Sequence, residues 1–154
     1  MNKAARIEPA SKARLRLWLR LLKATRAVEG RVRERLRDKH GSTLPRFDVM
    51  AALHREPAGL RMSALSSELR VSNGNVTGIV DRLVAEGAVE RRAVEGDRRA
   101  MVVRLTEAGA AAFEAMAAEH ERWIDEMLGA VGADEAEALS ARLGELAEGA
   151  EWRR

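Results

Sequence analysis

The chain contains no cysteine. That absence excludes a disulfide framework, thiolate catalysis, zinc-finger ligation and a cysteine redox switch. Tyrosine is absent as well and aromatics make up only 3% of the residues, while Ala, Leu, Arg and Glu dominate, a balance that favours helix over strand. No apolar run approaches a membrane-spanning length, and the basic N-terminus lacks both a continuous apolar segment and a following cleavage site. A soluble, cytoplasmic protein is therefore expected, with no membrane partner. A phosphate-binding glycine loop, a G-x-S-x-G elbow and an H-E-x-x-H pair are all missing, so no enzyme is expected. His40, His54 and His120 are scattered without an i, i+4 pair, and neither a metal site nor a cofactor is expected.

What is present is enough apolar residue for one domain: 154 residues, 46% of them hydrophobic, can bury one substantial core. The net charge is only +3, but it is unevenly spread. Residues 1–40 hold 13 Lys/Arg against 4 Asp/Glu, and residues 107–151 hold 2 against 12. A basic N-terminal arm and an acidic C-terminal arm attract one another, although two unrelated solvated faces would give the same counts.

The stretch 62–87, MSALSSELRVSNGNVTGIVDRLVAEG, reads as two short helices joined by a tight turn. Ser63 and Ser72 stand as N-cap hydroxyls ahead of apolar-periodic runs. In the second helix Val76, Ile79, Val80, Leu83 and Val84 fall on one side and commit it to a core. Asn73, Gly74, Asn75, Thr77, Gly78, Asp81 and Arg82 occupy the other. A slim surface of glycines, amides and hydroxyls near a helix N-terminus is what entry into a DNA major groove requires. A plain helical hairpin shares the pattern.

The next residues narrow that choice. AVERR and AMVVRLT are strand-like, and AVEGDRR between them places Gly96 and Asp97 at a turn, so a β-hairpin is expected. Arg91, Arg92, Arg98, Arg99 and Arg104 put five guanidinium groups on it. A basic hairpin beside a groove-reading helix makes a winged helix-turn-helix, its wing suited to phosphates and the minor groove.

Around this reader the spacing predicts long helices. Residues 1–10 read as a lead-in. From Lys12 to about Lys39, Leu15, Trp18, Leu22, Thr25, Val32 and Leu36 form one stripe, and Leu17, Leu21, Ala24 and Val28 an adjoining one. So broad an apolar face implies burial against more than one partner near the helix start. Gly41 stops that helix. Pro45 pre-sets a second, with Phe47, Met50, Ala51, Leu53 and His54 inward and Pro57 and Gly59 at its end. Leu60 and Arg61 suit a very short strand beside the hairpin. Thr106 caps a long helix carrying Phe113, Met116, Ala117, His120, Ile124, Met127 and Leu128. Gly129 and Gly132 break it, Asp134 with Glu137 resembles a capping box, and Leu139, Leu143 and Leu146 face inward on a final helix.

The order of these elements resembles the MarR family of winged-helix regulators along essentially the whole chain. The markers are VSNGNVTGIVDRLVAEGAVERR at 71–92 and GDRRAMVVRLTEAG at 96–109. The resemblance implies a mainly α (α+β) fold in which 1–40 and 107–154 form a helical dimerisation region and 41–106 the winged helix-turn-helix. It implies a homodimer on double-stranded DNA, with pseudo-palindromic half-sites about one helical turn, roughly 34 Å, apart. Ser72, Asn73, Asn75 and Thr77 match base- and phosphate-contacting positions, and Arg82 a backbone contact. Asp97 and Arg99 match the wing's Asp-x-Arg, in which the arginine enters the minor groove and the aspartate holds the wing. Ser63, Arg91 and Arg98 complete the DNA-facing candidates. Gly74 and Gly78 depart from the family, many members of which carry larger side chains there.

The resemblance further implies a ligand-responsive transcriptional regulator, a repressor, released by a small anionic aromatic effector or an aromatic acyl-CoA held between the dimer helices and the reader. The runs LRLWLRLL, LPRFDVMAAL and VSNGNVTGIVDRL look most like the branch controlling aromatic-acid catabolism. The corresponding lining here is Trp18, Leu22, Phe47, Met50, His54, Phe113 and Met116, with Arg16, Arg20 or Arg46 for the anion; the apolar members are equally compatible with a simple core. A helical dimeric adaptor without sequence-specific DNA binding is the alternative. It would have no use for five arginines on a hairpin.

Overall fold

The computed structural model describes residues 9–69 and 73–151. These fall into two compact units, one reaching to His120 and one starting at Glu121. In the first unit α1 (Pro9–His40), α2 (Leu44–Arg55), α3 (Met62–Leu69) and α4 (Asn73–Ala85) precede β1 (Val89–Val94) and β2 (Asp97–Leu105). Next comes α5 (Glu107–Leu128), which runs on into the second unit, followed there by α6 (Ala133–Glu151). The expected mainly helical winged helix-turn-helix is the observed fold.

Helix ends follow local chemistry. Pro9 and Ala10 are already helical rather than part of a lead-in, since a proline's fixed φ suits a first helical position. Arg37, Lys39 and His40 in the last turn of α1 complement the negative end of its dipole. Gly41 then takes φ +56°, and the carbonyls of Arg37 and Leu36 accept from the Gly41 and Ser42 N–H groups at 3.0 and 3.1 Å. Thr43 caps α2, its hydroxyl accepting from the Arg46 N–H.

Two expected caps sit elsewhere. Ser63 is the second residue of α3, because the chain leaves its bridge at Leu60 and winds at once, the Arg61 carbonyl accepting from Leu65 N–H. Asp134 is likewise inside α6; the Gly132 carbonyl accepts from Ala136 N–H, which leaves Asp134 and Glu135 in the first turn, where carboxylates favour the dipole. Ser72 lies outside the described residues.

The core of the first unit gathers Val32 and Leu36 of α1, Phe47, Val49, Met50, Ala52 and Leu53 of α2, and Leu65 of α3. Val76, Val80 and Leu83 of α4, Val89, Val103, Phe113 and Met116 complete it. On α2 the inward set is shifted from the expected one: Val49 and Ala52 are buried, Ala51 is half-buried and His54 is exposed. The start of α1 is not buried within the chain, since Leu15, Leu17, Trp18 and Leu19 are all more than half exposed. In the second unit Trp123 is buried, and Leu139, Leu143 and Leu146 line one side of α6 in the open rather than facing inward.

The hairpin is a two-stranded antiparallel sheet in which Val89 faces Leu105 and Arg91 faces Val103, with a bulge at Ala93/Val94. Glu95 and Gly96 make the turn, Gly96 at φ +85°, so Asp97 already belongs to β2. Leu60 adds the expected short strand as a single bridge to Val103. Gly59 is what lets it approach, for a Cβ there would stand 2.9 Å from the Val103 carbonyl oxygen.

The tightest joint lies between α4, β1 and α5. Gly87 closes α4 at φ +77°, with Gly87 N–H bonded to the Val84 carbonyl and Ala88 N–H to that of Leu83, a Schellman ending. Thr106 then gathers three groups. Its N–H donates to the Ala88 carbonyl at 3.0 Å, its hydroxyl donates to the Gly87 carbonyl at 2.7 Å, and the same oxygen accepts from Gly109 N–H at 3.0 Å. A Cβ on Gly109 would fall 1.8 Å from the Ala88 carbonyl oxygen.

Gly109→Ala should therefore destabilise the protein by about 2–3 kcal/mol, as overpacking against an immovable backbone does. Gly30→Ala, in open space on α1, should stabilise by about 0.5–1 kcal/mol through helix propensity. Urea midpoints that moved in the same direction for both would contradict the joint.

Candidate nucleic-acid interface

α4 presents the divided surface that its sequence spells out. Val76, Val80 and Leu83 are fully buried, and Gly74, Asn75, Thr77, Gly78, Asp81 and Arg82 are exposed. Nothing lies within 4 Å of where a Cβ on Gly74 or Gly78 would stand, so the outer face is slim and open. Asn75 also borders a small cleft of about 130 Å³ that it shares with Pro45, Asp48, Val49, Leu69 and Ile79. Asn73 is the first residue of α4, and Ser63 lies exposed within α3.

The wing's positive charge is smaller in effect than its arginine count. Arg91 is paired with Asp81 at 2.5 Å, which ties the hairpin to α4. Arg92 and Arg104 both reach Glu90, at 2.9 and 2.7 Å. The hydrogen bond from Arg104, helped by the charge of Arg92, holds the Glu90 carboxyl below the usual range. Within the wing the Asp97 Oδ1 accepts from the Arg99 N–H at 3.1 Å and braces the strand after the turn. Arg99 itself is exposed and carries no ion-pair partner among the described residues. It is free for phosphate or groove contact, whereas Arg91, Arg92 and Arg104 must exchange a carboxylate first. Ion pairs open to solvent contribute little, so that exchange is cheap. Of Arg98 only the backbone is described, on β2.

The candidate effector residues separate into three groups. Arg46, Met50 and Met116 line an open cleft of about 410 Å³, together with His40, Leu83, Glu86 and the small residues of α5. Phe47, His54 and Phe113 belong to a ring cluster with His120: Phe47 stacks on His120 at 4.8 Å and tilts against Phe113 at 5.3 Å, and His54 tilts against Phe113 at 4.9 Å. Arg16, Trp18, Arg20 and Leu22, near the start of α1, do not line the cleft. Glu86 is its unforeseen member. The Arg46 guanidinium grips the Glu86 carboxylate with both terminal nitrogens, one of them at 2.9 Å, a bidentate arrangement that pulls the Glu86 carboxyl below its ordinary range. No local pattern marks a residue 40 positions away from its partner.

Burial lowers the His120 pKa, and the nearby charge of Asp48 only partly opposes it. The unfolded chain thus binds a proton at His120 more readily than the native one, and stability falls as pH drops through the window just below the ordinary 6.5. Burial raises the Asp48 pKa, which acts in the opposite sense in a lower window, just above 3.8. His120→Phe should flatten the upper slope in urea melts at several pH values and steepen the lower one, because the imidazolium charge that opposes the rise of the Asp48 pKa is removed.

Three comparisons agree with this geometry. The sequence profile of the MarR family matches residues 40–100. Over 116 residues the chain is 29% identical to the transcriptional regulator PecS of Dickeya dadantii, covering 74% of this chain and 70% of that one. A MarR family regulator from Silicibacter pomeroyi is 35% identical with a TM-score of 0.75, covering 92% of this chain and 98% of the other. A mutant of MarR from E. coli, solved in complex with operator DNA, is 27% identical with a TM-score of 0.71, covering 84% and 92%. An open polar recognition helix braced against an arginine-bearing wing, in a chain this similar end to end, has one reading: the protein belongs to the MarR family of DNA-binding transcriptional regulators.

Proposed function

We propose that the protein acts in the cytoplasm as a homodimeric repressor on a pseudo-palindromic operator and is released by a small aromatic acid or its coenzyme A thioester. The observation that carries the reading is the joint exposure of the α4 polar face and of Arg99 on the wing that Arg91 ties to α4. Asn73, Asn75 and Thr77 supply the base- and phosphate-facing groups, with Ser72 ahead of them, and Arg82 and Arg98 supply backbone contacts. Dimerisation is supported by apolar surface that a lone chain leaves wet, at Leu15, Leu17, Trp18 and Leu19 on α1 and at Leu139, Leu143 and Leu146 on α6. Patches of this kind on a charged chain mark protein contacts. The opposite charges of 1–40 and 107–151 give the two segments a reason to meet across a twofold axis. No helix among the described residues is long and apolar enough to cross a membrane. An anionic aromatic ligand suits a cleft with apolar walls and one guanidinium.

Arg99→Ala should weaken binding to the DNA upstream of its own coding sequence and reduce the salt slope by about 0.9, the contribution of one phosphate. An unchanged slope in an anisotropy titration across salt would remove Arg99 from the interface. Leu143→Glu should convert the dimer to monomer in sedimentation velocity and lower specific affinity by at least roughly 100-fold, since the second half-site no longer binds in tandem. A monomeric variant with undiminished affinity would overturn the dimeric reading.

A further inference from the structure

The cleft carries its own competitor for the ligand that it would bind. Among the described residues Arg46 is the one permanently charged cation on its wall, and Glu86 of the same wall already occupies it. The two partners are unequally held. Arg46 is 20% exposed and Glu86 is 51% exposed, so the guanidinium is fixed by its surroundings and the carboxylate can swing into water. The guanidinium is also incompletely satisfied: its Nε–H is buried and finds no hydrogen-bond partner among the described residues. An unmet donor on a charged group is costly, which weakens the hold of the pair as it stands. Beyond the ion pair the wall is mostly apolar, Met50, Leu83 and Met116 standing with small residues and with His40 and Ser42, and 410 Å³ falls within the usual size of small-molecule sites.

The location of the pair gives the exchange a consequence. Arg46 stands in the first turn of α2. Glu86 directly follows the last residue of α4, one position before the Gly87 that closes the recognition helix. Their bond is a strap between the scaffold helix and the end of the DNA reader.

We propose that a small organic anion binds the cleft by displacing Glu86 from Arg46, and that this carboxylate-for-carboxylate exchange unfastens the end of the recognition helix from α2. The proposal rests on the effector reading given above and specifies how the same cleft is coupled to DNA. The exchange conserves the charge on Arg46, so the pocket is not left with a bare buried cation at either end of the process. It also selects against neutral ligands of the same shape, which have no charge with which to dislodge Glu86. By linkage, DNA that favours the fastened helix opposes the anion to the same degree that the anion opposes DNA.

Benzoate and its neutral counterpart benzamide serve as probes, titrated calorimetrically into the wild-type protein, Glu86→Gln and Arg46→Gln, with anisotropy on the upstream DNA as the second readout. Wild type should bind benzoate and not benzamide, and Arg46→Gln should lose benzoate. Glu86→Gln should bind benzoate at least about fivefold more tightly, the lower bound of ordinary site-to-site coupling. Without ligand, its DNA affinity should equal that of benzoate-saturated wild type and respond little to further benzoate. Mere damage to the fold does not raise affinity for a ligand, so the gain separates exchange from a structural role. Glu86→Ala provides the same test should the glutamine variant fold poorly. If benzoate requires Arg46 but binds Glu86→Gln no more tightly than wild type, the exchange is wrong and the effector reading stands. Equal benzoate binding by wild type and Arg46→Gln places the site elsewhere and overturns the exchange as well. If no variant binds benzoate, both fall.

Discussion

The seating of Gly109 against the Ala88 carbonyl is the constraint on which the rest of the reader depends. A contact that excludes even a methyl group leaves the start of α5 no latitude against the end of α4. Thr106 turns that proximity into hydrogen bonds, taking up the Gly87 and Ala88 carbonyls that a Schellman ending would otherwise leave facing the gap. Three elements with separate duties thus share one joint: the recognition helix α4, the strand that begins the wing, and α5, whose sequence continues into the second unit. Packed backbone of this kind has discrete arrangements rather than a soft continuum, so a disturbance at one member is passed on instead of absorbed.

Much of this was legible in the residues. The apolar period of α4, the turn residue Gly96 and the cap Thr106 all follow from local rules, and local rules suffice wherever a residue's neighbours are its sequence neighbours. Three kinds of feature escaped them. Ser63 and Asp134 look like caps but stand inside their helices, because the first helical hydrogen bond is already accepted two residues earlier, by the Arg61 and Gly132 carbonyls. The inward face of α2 was displaced to Val49 and Ala52, since α1, α3, α4 and β2 all pack on it and together, rather than one stripe, decide what is inside. The pairing of Arg46 with Glu86 joins residues that no spacing announces, and the division of the arginines on the wing into engaged and free depends on which carboxylates the folded hairpin and α4 bring beside them.

That division alters what the basic hairpin can be. Five guanidinium groups on a solvated loop would repel one another and scatter; here Glu90 draws Arg92 and Arg104 together, Asp81 draws Arg91 toward α4, and the loop keeps a shape before anything binds it. The acidic residues of the reader therefore serve rigidity rather than opposing the charge of the nucleic acid. Pre-shaping of this kind lowers the ordering cost on association. Among the described side chains of the wing, it also leaves the freely available charge at Arg99, near the tip.

Gly74 and Gly78 have a consequence of another kind. Each stands on the exposed side of α4 with empty space where a side chain would begin, so the interior of the protein sets no limit on what is placed there, and almost any replacement would strengthen the helix. Positions that are free of internal obligation on the open face of a recognition helix are where a lineage can acquire a new target sequence in single steps. In this chain the vocabulary of the reader can expand without its grammar being rebuilt.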